Sequence, residues 1–484
     1  MQHKLRPLLF FYVPISLALL VYTIYRASSL SLTIDEAYTF LHYVPMRFMD
    51  IISNNIVTNT VVSANNHILN TLLVKLFTCL FGTSELVLRL PSLIGHVIYL
   101  IASYLVIKKI KSPVIALLGF MLLNFNPFLL DFFSLSRGYA LAAAFTFMSA
   151  NFTLDFFSTK SMKAIILSLL FASLAVISNF SSLIYYVGVI MVFSFNWLID
   201  YKVKKLSGKD LWKYLSIVLF TIALFFFLYE PIRRLIAFKT LNFGGNTGFW
   251  VDTVDSLIMF TFFGMPFGSL IIAGQVFVAA IIICSLAWVV SGLIRKKMQG
   301  ERQIHLITFL LLMLPCFISV TQHILIHTKF MQDRMGLFLI PLFVVNLLFL
   351  ADTFSISPLR KWIGISMLGI LAITFVYHTI NTENNTYTLL WWYDAQSKDV
   401  IKDMETYHAI SNKDINLGVN DFYSPSCTYY KMRKNLTWLT ITNMTYAAQN
   451  CDYYYMLPWD DDEVNKKPRI IITQYETSKA YLVK

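Results

Sequence analysis

The sequence predicts a polytopic α-helical membrane protein with about eleven spanning helices and a small soluble α/β domain at its C-terminal end. Three observations carry this. Of the 484 residues, 57% are hydrophobic and 14% charged, too little charge to clothe a soluble core of that size. Apolar stretches of about 17–25 residues recur, the length that crosses a ~30 Å hydrocarbon layer as a helix. Between them lie short basic clusters: Lys108, Lys109 and Lys111; Lys160 and Lys163; Lys202, Lys204, Lys205 and Lys209; Arg295, Lys296, Lys297 and Arg302; Arg360 and Lys361. This is the positive-inside pattern, which places those clusters in the cytoplasm. The formal net charge of +12 is thus accounted for by topology. No basic stripe interleaved with aromatics occurs on a polar segment, so nucleic acid is not an expected partner.

The clusters thread the chain through the bilayer. Lys4 and Arg6 keep the N-terminus inside, and Pro7 to Tyr25 forms the first span. It is read as an uncleaved anchor, although Ala27, Ser28 and Ser29 also permit cleavage. After a long outer segment, Arg26 to Arg89, spans are expected at Leu90–Ile107, Ser112–Leu130 and Gly138–Phe157. Ala164 to Ile199 carries no charge, is too long for one crossing and has basic flanks. It therefore reads as two helices with an outer turn near Ser178–Ser182. Further spans are expected at Trp212–Tyr229, up to Arg295, at Ile304–Ile326, Gly336–Leu350 and Trp362–Tyr377. The outer run Gly244-Gly245-Asn246-Thr247-Gly248 reads as a flexible loop. An odd count puts the C-terminal region opposite the N-terminus. The predicted division is a transmembrane domain over residues 1–380 and an extracytoplasmic α/β domain over residues 381–484.

In that last domain, helices are expected at Val400–His408 and Ser424–Arg433, and strands at Asp414–Val419, Trp438–Ile441, Tyr453–Leu457 and Arg469–Thr473. Cys427 and Cys451 share it, and an extracytoplasmic setting permits but does not require a disulfide. Cys79, Cys284 and Cys316 read as apolar packing residues.

Four polar constellations gather on the outer side. Thr33-Ile34-Asp35-Glu36 comes just after the first span. Its adjacent carboxylates suit a general base or oxygen ligands for a divalent cation. Thr33 and Glu36 also have capping-box spacing, so Glu36 has a purely structural reading. Asn65-Asn66-His67 precedes the amphipathic stretch Thr71–Phe81. It reads either as a helix cap or, at His67, as a phosphate or metal contact. Asp131 and Ser136-Arg137-Gly138-Tyr139 form the third group, in which Arg137 has an alternative reading as a snorkelling charge. The fourth, His323, His327, Lys329, Asp333 and Arg334, concentrates cations where the positive-inside rule leaves few. An anionic headgroup explains that departure, and the spacing of the two histidines also suits a metal. Glu230, Arg233, Arg234 and Lys239 extend the pattern. Carboxylates near the start and cations further along are the two kinds of group that a lipid-linked phosphosugar requires. Breaking a C1–O–phosphate bond calls for cationic stabilisation of the leaving phosphate, while the attacking hydroxyl or amine needs a base.

Several pieces in order strengthen this: Asp35-Glu36-Ala37-Tyr38-Thr39, Asn66-His67-Ile68-Leu69-Asn70-Thr71-Leu72-Leu73, the run Phe81 to Ser92, Ser136-Arg137-Gly138-Tyr139-Ala140-Leu141, and Asp333-Arg334 leading into Ile340-Pro341. Through them the chain resembles the GT-C-fold membrane glycosyltransferases, in the Rgt-like branch related to the lipid A aminoarabinose transferase and the protein O-mannosyltransferases. The resemblance implies an extracytoplasmic transferase, expected in the plasma (inner) membrane, and a single displacement at C1 would make it inverting. It would use a polyprenyl-phosphate sugar donor and a glycan, lipid or protein acceptor on the extracytoplasmic face. It implies Asp35 as base or metal-positioning carboxylate with Glu36 beside it, His67 facing the site, and Arg137, Tyr139 and Arg334 contacting the donor phosphate or holding the loops around it; by position, Lys329 joins the phosphate-binding candidates and Asn66 those of the site. Metal use varies among such enzymes, so a divalent ion on Asp35, Glu36 and His67 stays open. The chain departs from many relatives at His67-Ile68-Leu69, where they carry His-Pro-Pro or Lys-Pro-Pro. The competing readings are a secondary transporter, or a flippase or polymerase of lipid-linked glycans.

Overall fold

The computed structural model describes residues 6–55, 66–202, 208–240, 243–265, 267–295, 299–354, 357–382, 384–443, 451–457 and 470–484. Lys4, Asn65, Lys204, Lys205, Lys296, Lys297 and Arg469, used in the sequence reading, lie outside them.

A helix stands at each of the eleven expected positions. Eight described helices are long and apolar enough to cross a membrane, or nine if a bent pair counts as one span. Met162–Ser178 and Leu339–Phe354, at 17 and 16 residues, are shorter apolar helices. The count of eleven is therefore an expectation about position, not an established number of crossings.

The bend corrects a predicted element. Ser112–Leu130 was expected to be continuous, but Pro113–Asn124 and Pro127–Phe133 meet at 59°. The cause is local. Pro127 has no N–H to continue the helix and holds Asn126 in an extended conformation. The Asn126 side chain then caps the new helix by accepting from the Leu129 N–H at 3.1 Å. The second arm carries Asp131 to the buried Arg26 at the end of the first helix, where they form an ion pair.

In the C-terminal part, helices Ser397–Ser411 and Ser424–Arg433 pack with a five-stranded sheet. Its strands are β1 (Ile415–Val419), β2 (Leu439–Asn443), β3 (Tyr453–Met456), β4 (Ile471–Gln474) and β5 (Tyr481–Val483). Their order is β2-β1-β3-β5-β4. β1 pairs in parallel with β2 and β3, while β5 runs antiparallel between β3 and β4. β5 was absent from the sequence reading. Tyr423, Cys427, Tyr430 and Tyr455 are buried in this domain's core. No disulfide joins Cys427 and Cys451.

This core is continuous with the outer loops of the membrane part, since Leu32, Ala37 and Leu88 belong to the same cluster. Arg433 and Lys398 pair with Glu85, the latter at 3.0 Å. The Tyr429 hydroxyl donates to the Thr83 carbonyl at 2.7 Å. The sheet domain is thus docked directly over the segment that carries Asp35.

Candidate active site

The segment after the first span turns at Thr33 into a short helix, Ile34–Tyr38. Thr33 Oγ1 accepts from the Glu36 N–H, and Glu36 Oε2 accepts from the Thr33 N–H at 3.0 Å. This is the capping box that the spacing allowed. The rest of Glu36 is equally engaged. Arg89 Nε and Nη2 each donate to it at 2.8 Å, and the Ser136 N–H donates to Oε1. Both side chains are fully buried. Burial alone would push the Glu36 carboxyl up. Arg89, together with the Ser136 and Thr33 N–H groups, outweighs it and holds that carboxyl below its ordinary range.

This geometry matches the structural reading of Glu36 that its spacing allowed. Its lone pairs are spent on fixing the loop, with Arg89 also donating to the carbonyls of Ala27, Leu30 and Ser31.

Asp35, its neighbour, points the other way and is partly open to solvent. Arg137 Nη2 lies 3.3 Å and Arg334 Nη2 3.9 Å from its Oδ2. Arg137 occupies the N-cap position of helix Gly138–Thr159, yet its side chain makes no cap bond. It turns to Asp35 instead and is 1% exposed, so the snorkelling alternative does not describe it. Arg334, in the short 3₁₀ turn Asp333–Gly336, donates from Nε to the Tyr139 hydroxyl at 3.2 Å. Its guanidinium lies 4.5 Å from the Phe243 ring centroid, 5.1 Å from Trp391 and 5.8 Å from Tyr139. Such an aromatic collar holds a planar cation while leaving its donors directed outward.

His67 joins from below. Its ring meets Tyr139 edge-on at 4.8 Å, and Nε2 is buried with no hydrogen-bond partner among the described residues. Burial, then the nearby positive charge of Arg137 and Arg334, pushes the imidazole well below its usual range, so it is neutral. A Cβ on Gly138 would stand 2.0 Å from the Ser178 carbonyl oxygen and 2.7 Å from His67 Cβ. Gly138→Ala is therefore expected to destabilise the fold by about 1–3 kcal/mol through overpacking. A lowered melting temperature of the detergent-solubilised protein is the check; an unchanged one contradicts this packing.

Asn66 is engaged elsewhere. Asn66 Nδ2 donates to the Ile51 carbonyl at 2.9 Å and to Asn54, and its Oδ1 accepts from Thr71. It ties a neighbouring loop to the helix Ile68–Phe81 and does not reach Asp35. Lys329 is exposed and sits beside Phe330, whose backbone bridges Gly245 at 3.1 and 2.9 Å. The glycine run is not a loose loop either: Asp252 accepts from the Thr247 and Gly248 N–H groups at 2.8 and 2.9 Å.

Nor do Asp35, Glu36 and His67 fit a divalent cation together. Glu36 is saturated by Arg89, and Asp35 faces two guanidinium groups. Among the described residues no three His, Cys, Asp or Glu side chains gather as metal ligands. The His323 ring stacks on Phe330 at 4.0 Å and His327 ends its helix in a left-handed conformation.

Beside this polar site lies an apolar cavity of about 690 Å³. Trp250, Leu257, Phe277, Phe317, Phe343 and Phe375 are among its lining residues. Its wall is joined to the loop bearing Arg334, because Thr253 Oγ1 donates to the Met331 carbonyl and Ser256 Oγ accepts from the Asp333 N–H. A site of this kind offers an anion two cations and offers a long chain a greasy slot.

Residues 68–229 match the family described as dolichyl-phosphate-mannose-protein mannosyltransferase. That span contains Arg137 and Tyr139 and leaves Asp35 and Arg334 outside it. Over its whole length the chain superposes on the crystal structure of ArnT from Cupriavidus metallidurans in the apo state. The TM-score is 0.53 at 10% identity, covering 99% of this chain and 97% of that one. This is the GT-C fold. The same protein bound to undecaprenyl phosphate is similar at a TM-score of 0.50 and 9% identity, with 99% and 98% of the two chains covered. No curated protein matches the chain. The GT-C fold is what the ordered motifs led one to expect, and the small C-terminal sheet domain is what the helix and strand pattern after residue 380 predicted. Sequence reasoning missed Arg89, Trp391 and Phe243 as parts of its site; only their packing reveals them.

Proposed function

We propose that the chain is an inverting membrane glycosyltransferase that moves a sugar from a polyprenyl-phosphate donor to a glycan, lipid or protein acceptor on the extracytoplasmic face. One observation carries the reading: a partly open carboxylate, Asp35, stands between two guanidinium groups, and the loop bearing one of them is hydrogen-bonded to the wall of an apolar cavity. Glu36 and Arg89 neutralise each other, which leaves the Arg137 and Arg334 guanidinium groups facing the Asp35 carboxylate. Such a pair of cations suits a phosphate. On donor binding, Arg334, the more distant partner of Asp35, turns its donors to the phosphate oxygens and stabilises the charge that develops as the C1–O bond breaks. The carboxylate then accepts the proton of the acceptor hydroxyl or amine as that group attacks C1 from the opposite side. Neutral His67 and the Tyr139 ring buttress the two arginines. The fold match to a protein solved with undecaprenyl phosphate supports the choice of donor class.

The test is transfer by purified protein in proteoliposomes supplied with labelled polyprenyl-phosphate sugars. Covalent transfer supports the proposal; movement of the lipid across the bilayer without transfer would identify a flippase instead. Arg334→Gln is expected to weaken donor use by about 10–100-fold, as befits loss of a charge-assisted hydrogen bond of about 1.5–3 kcal/mol, read as kcat/KM for the donor. Wild-type kcat/KM in that variant removes the phosphate from Arg334.

A further inference from the structure

The peptide N–H at the start of the helix bearing Asp35 is not held by its own neighbourhood. Ile34 is the first residue of that helix, and its N–H donates to Asp394 Oδ2 at 2.7 Å across 360 positions of sequence. Asp394 lies outside the membrane bundle, in the 3₁₀ turn Trp392–Gln396 that leads into the sheet domain. The carboxyl is 1% exposed, and Oδ1 is met by the Ser426 and Ser397 hydroxyls at 3.2 and 3.4 Å. Either side of it, Ser31 Oγ donates to the Ala395 carbonyl at 2.6 Å and the Leu32 N–H to the Tyr430 hydroxyl at 2.8 Å. Trp391, three residues earlier, is part of the collar around Arg334.

We infer that Asp394 is a positioning residue for the reaction: its carboxyl sets the register and tilt of the helix Ile34–Tyr38 and so aims Asp35 between Arg137 and Arg334. A carboxyl at a helix N-terminus is favourably placed to accept an N–H that the helix leaves unpaired. This end of the helix has no other acceptor for the Ile34 N–H, because the Thr33 side chain is already spent on the Glu36 N–H. Burial pushes the Asp394 carboxyl well above its ordinary range; the Ile34 and Ser426 hydrogen bonds oppose this, and the charges of Asp35 and Glu36 add to it. A neutral acid and an amide are then near equivalents at this position, one oxygen accepting from Ile34 and the other group facing hydroxyls that rotate to suit.

The inference rests on the proposed transfer reaction only for its kinetic arm. Asp394→Ala is expected to lower kcat about 10–100-fold, the penalty of a catalytic group displaced by about 1 Å, with the donor KM within about twofold of wild type. Asp394→Asn restores most of that rate. Independently of any reaction, hydrogen–deuterium exchange over residues 31–43 is expected to quicken at least about tenfold at Ile34 in Asp394→Ala and not in Asp394→Asn.

Should Asp394→Ala fail to fold, Ile34→Pro removes the same donor from the other side. Proline suits the first helical position, and Thr33 before it is already extended. Ile34→Pro must then lose the same factor in kcat relative to Ile34→Ala, which keeps the N–H. Unchanged exchange at Ile34 in Asp394→Ala, wild-type kcat alongside quickened exchange, or equal rates for Ile34→Pro and Ile34→Ala overturns the assignment. If the wild-type protein transfers no sugar at all, the proposed function fails, and the exchange measurement still decides whether Asp394 holds this helix.

Discussion

Asp35→Asn is expected to reduce sugar transfer by about 10²–10⁴-fold, the range that a positioned general base contributes, in a protein that still inserts and folds. Asparagine keeps the size of the side chain and one acceptor oxygen toward Arg137 and Arg334. It cannot take up a proton at the attacking hydroxyl. Because the start of the helix is held by Thr33, Glu36 and Asp394, the substitution is aimed at chemistry more than at architecture. Donor binding, measured with the lipid phosphate alone, is expected to hold or tighten, since a negative charge beside the two guanidinium groups is gone. Transfer at the wild-type rate would remove Asp35 from the centre of the mechanism.

Arg89→Ala is expected to have the largest effect on folding, about 3–5 kcal/mol, through the uncompensated charge left on Glu36. Both partners have no solvent exposure, and Arg89 alone satisfies three carbonyls at the end of the first helix. Against a typical stability of about 5–15 kcal/mol, such a loss shows as little folded protein recovered by size exclusion in detergent. Normal recovery and melting temperature would show that the pair does not hold the loop. The pair also sets a pH dependence. The Glu36 carboxyl is held below its ordinary value in the folded state, so its stabilising contribution is complete above the ordinary carboxylate range. It is lost as pH falls through the lowered folded value.

How much of this was legible follows from what each feature depends on. The helices were readable because an apolar run of spanning length is a local property. Pro358–Thr382 and Glu301–Ile326 stand where composition put Trp362–Tyr377 and Ile304–Ile326. The break after Asn124 was signalled by Pro127 and overlooked because hydropathy runs on through it. Strand β5, three residues long, is too short for any alternation to show. Within the site, Arg334 stood out among cations on the wrong side of the charge pattern and Arg137 as a charge at the end of a span, whereas their approach to one oxygen of Asp35 is a property of packing. Arg89 was invisible for the opposite reason. At the edge of an apolar stretch it reads as a flank, and only burial against Glu36 shows it to be internal. Asp394 and Trp391 sit in a turn whose sequence is unremarkable for a linker.

The fastenings of the Asp35 segment also bear on how the protein is made. Ser31, Leu32 and Ile34 are tied to Ala395, Tyr430 and Asp394, partners between 360 and 398 positions downstream. Closing contacts so distant along the chain is slow and comes late. During synthesis the first-made corner of the site must therefore wait, unanchored, until the final quarter of the polypeptide has reached the same compartment. A ribosome that stalls or terminates early leaves an inserted bundle in which Ser31, Leu32 and Ile34 lack these partners, and on the proposed mechanism such a chain would be silent.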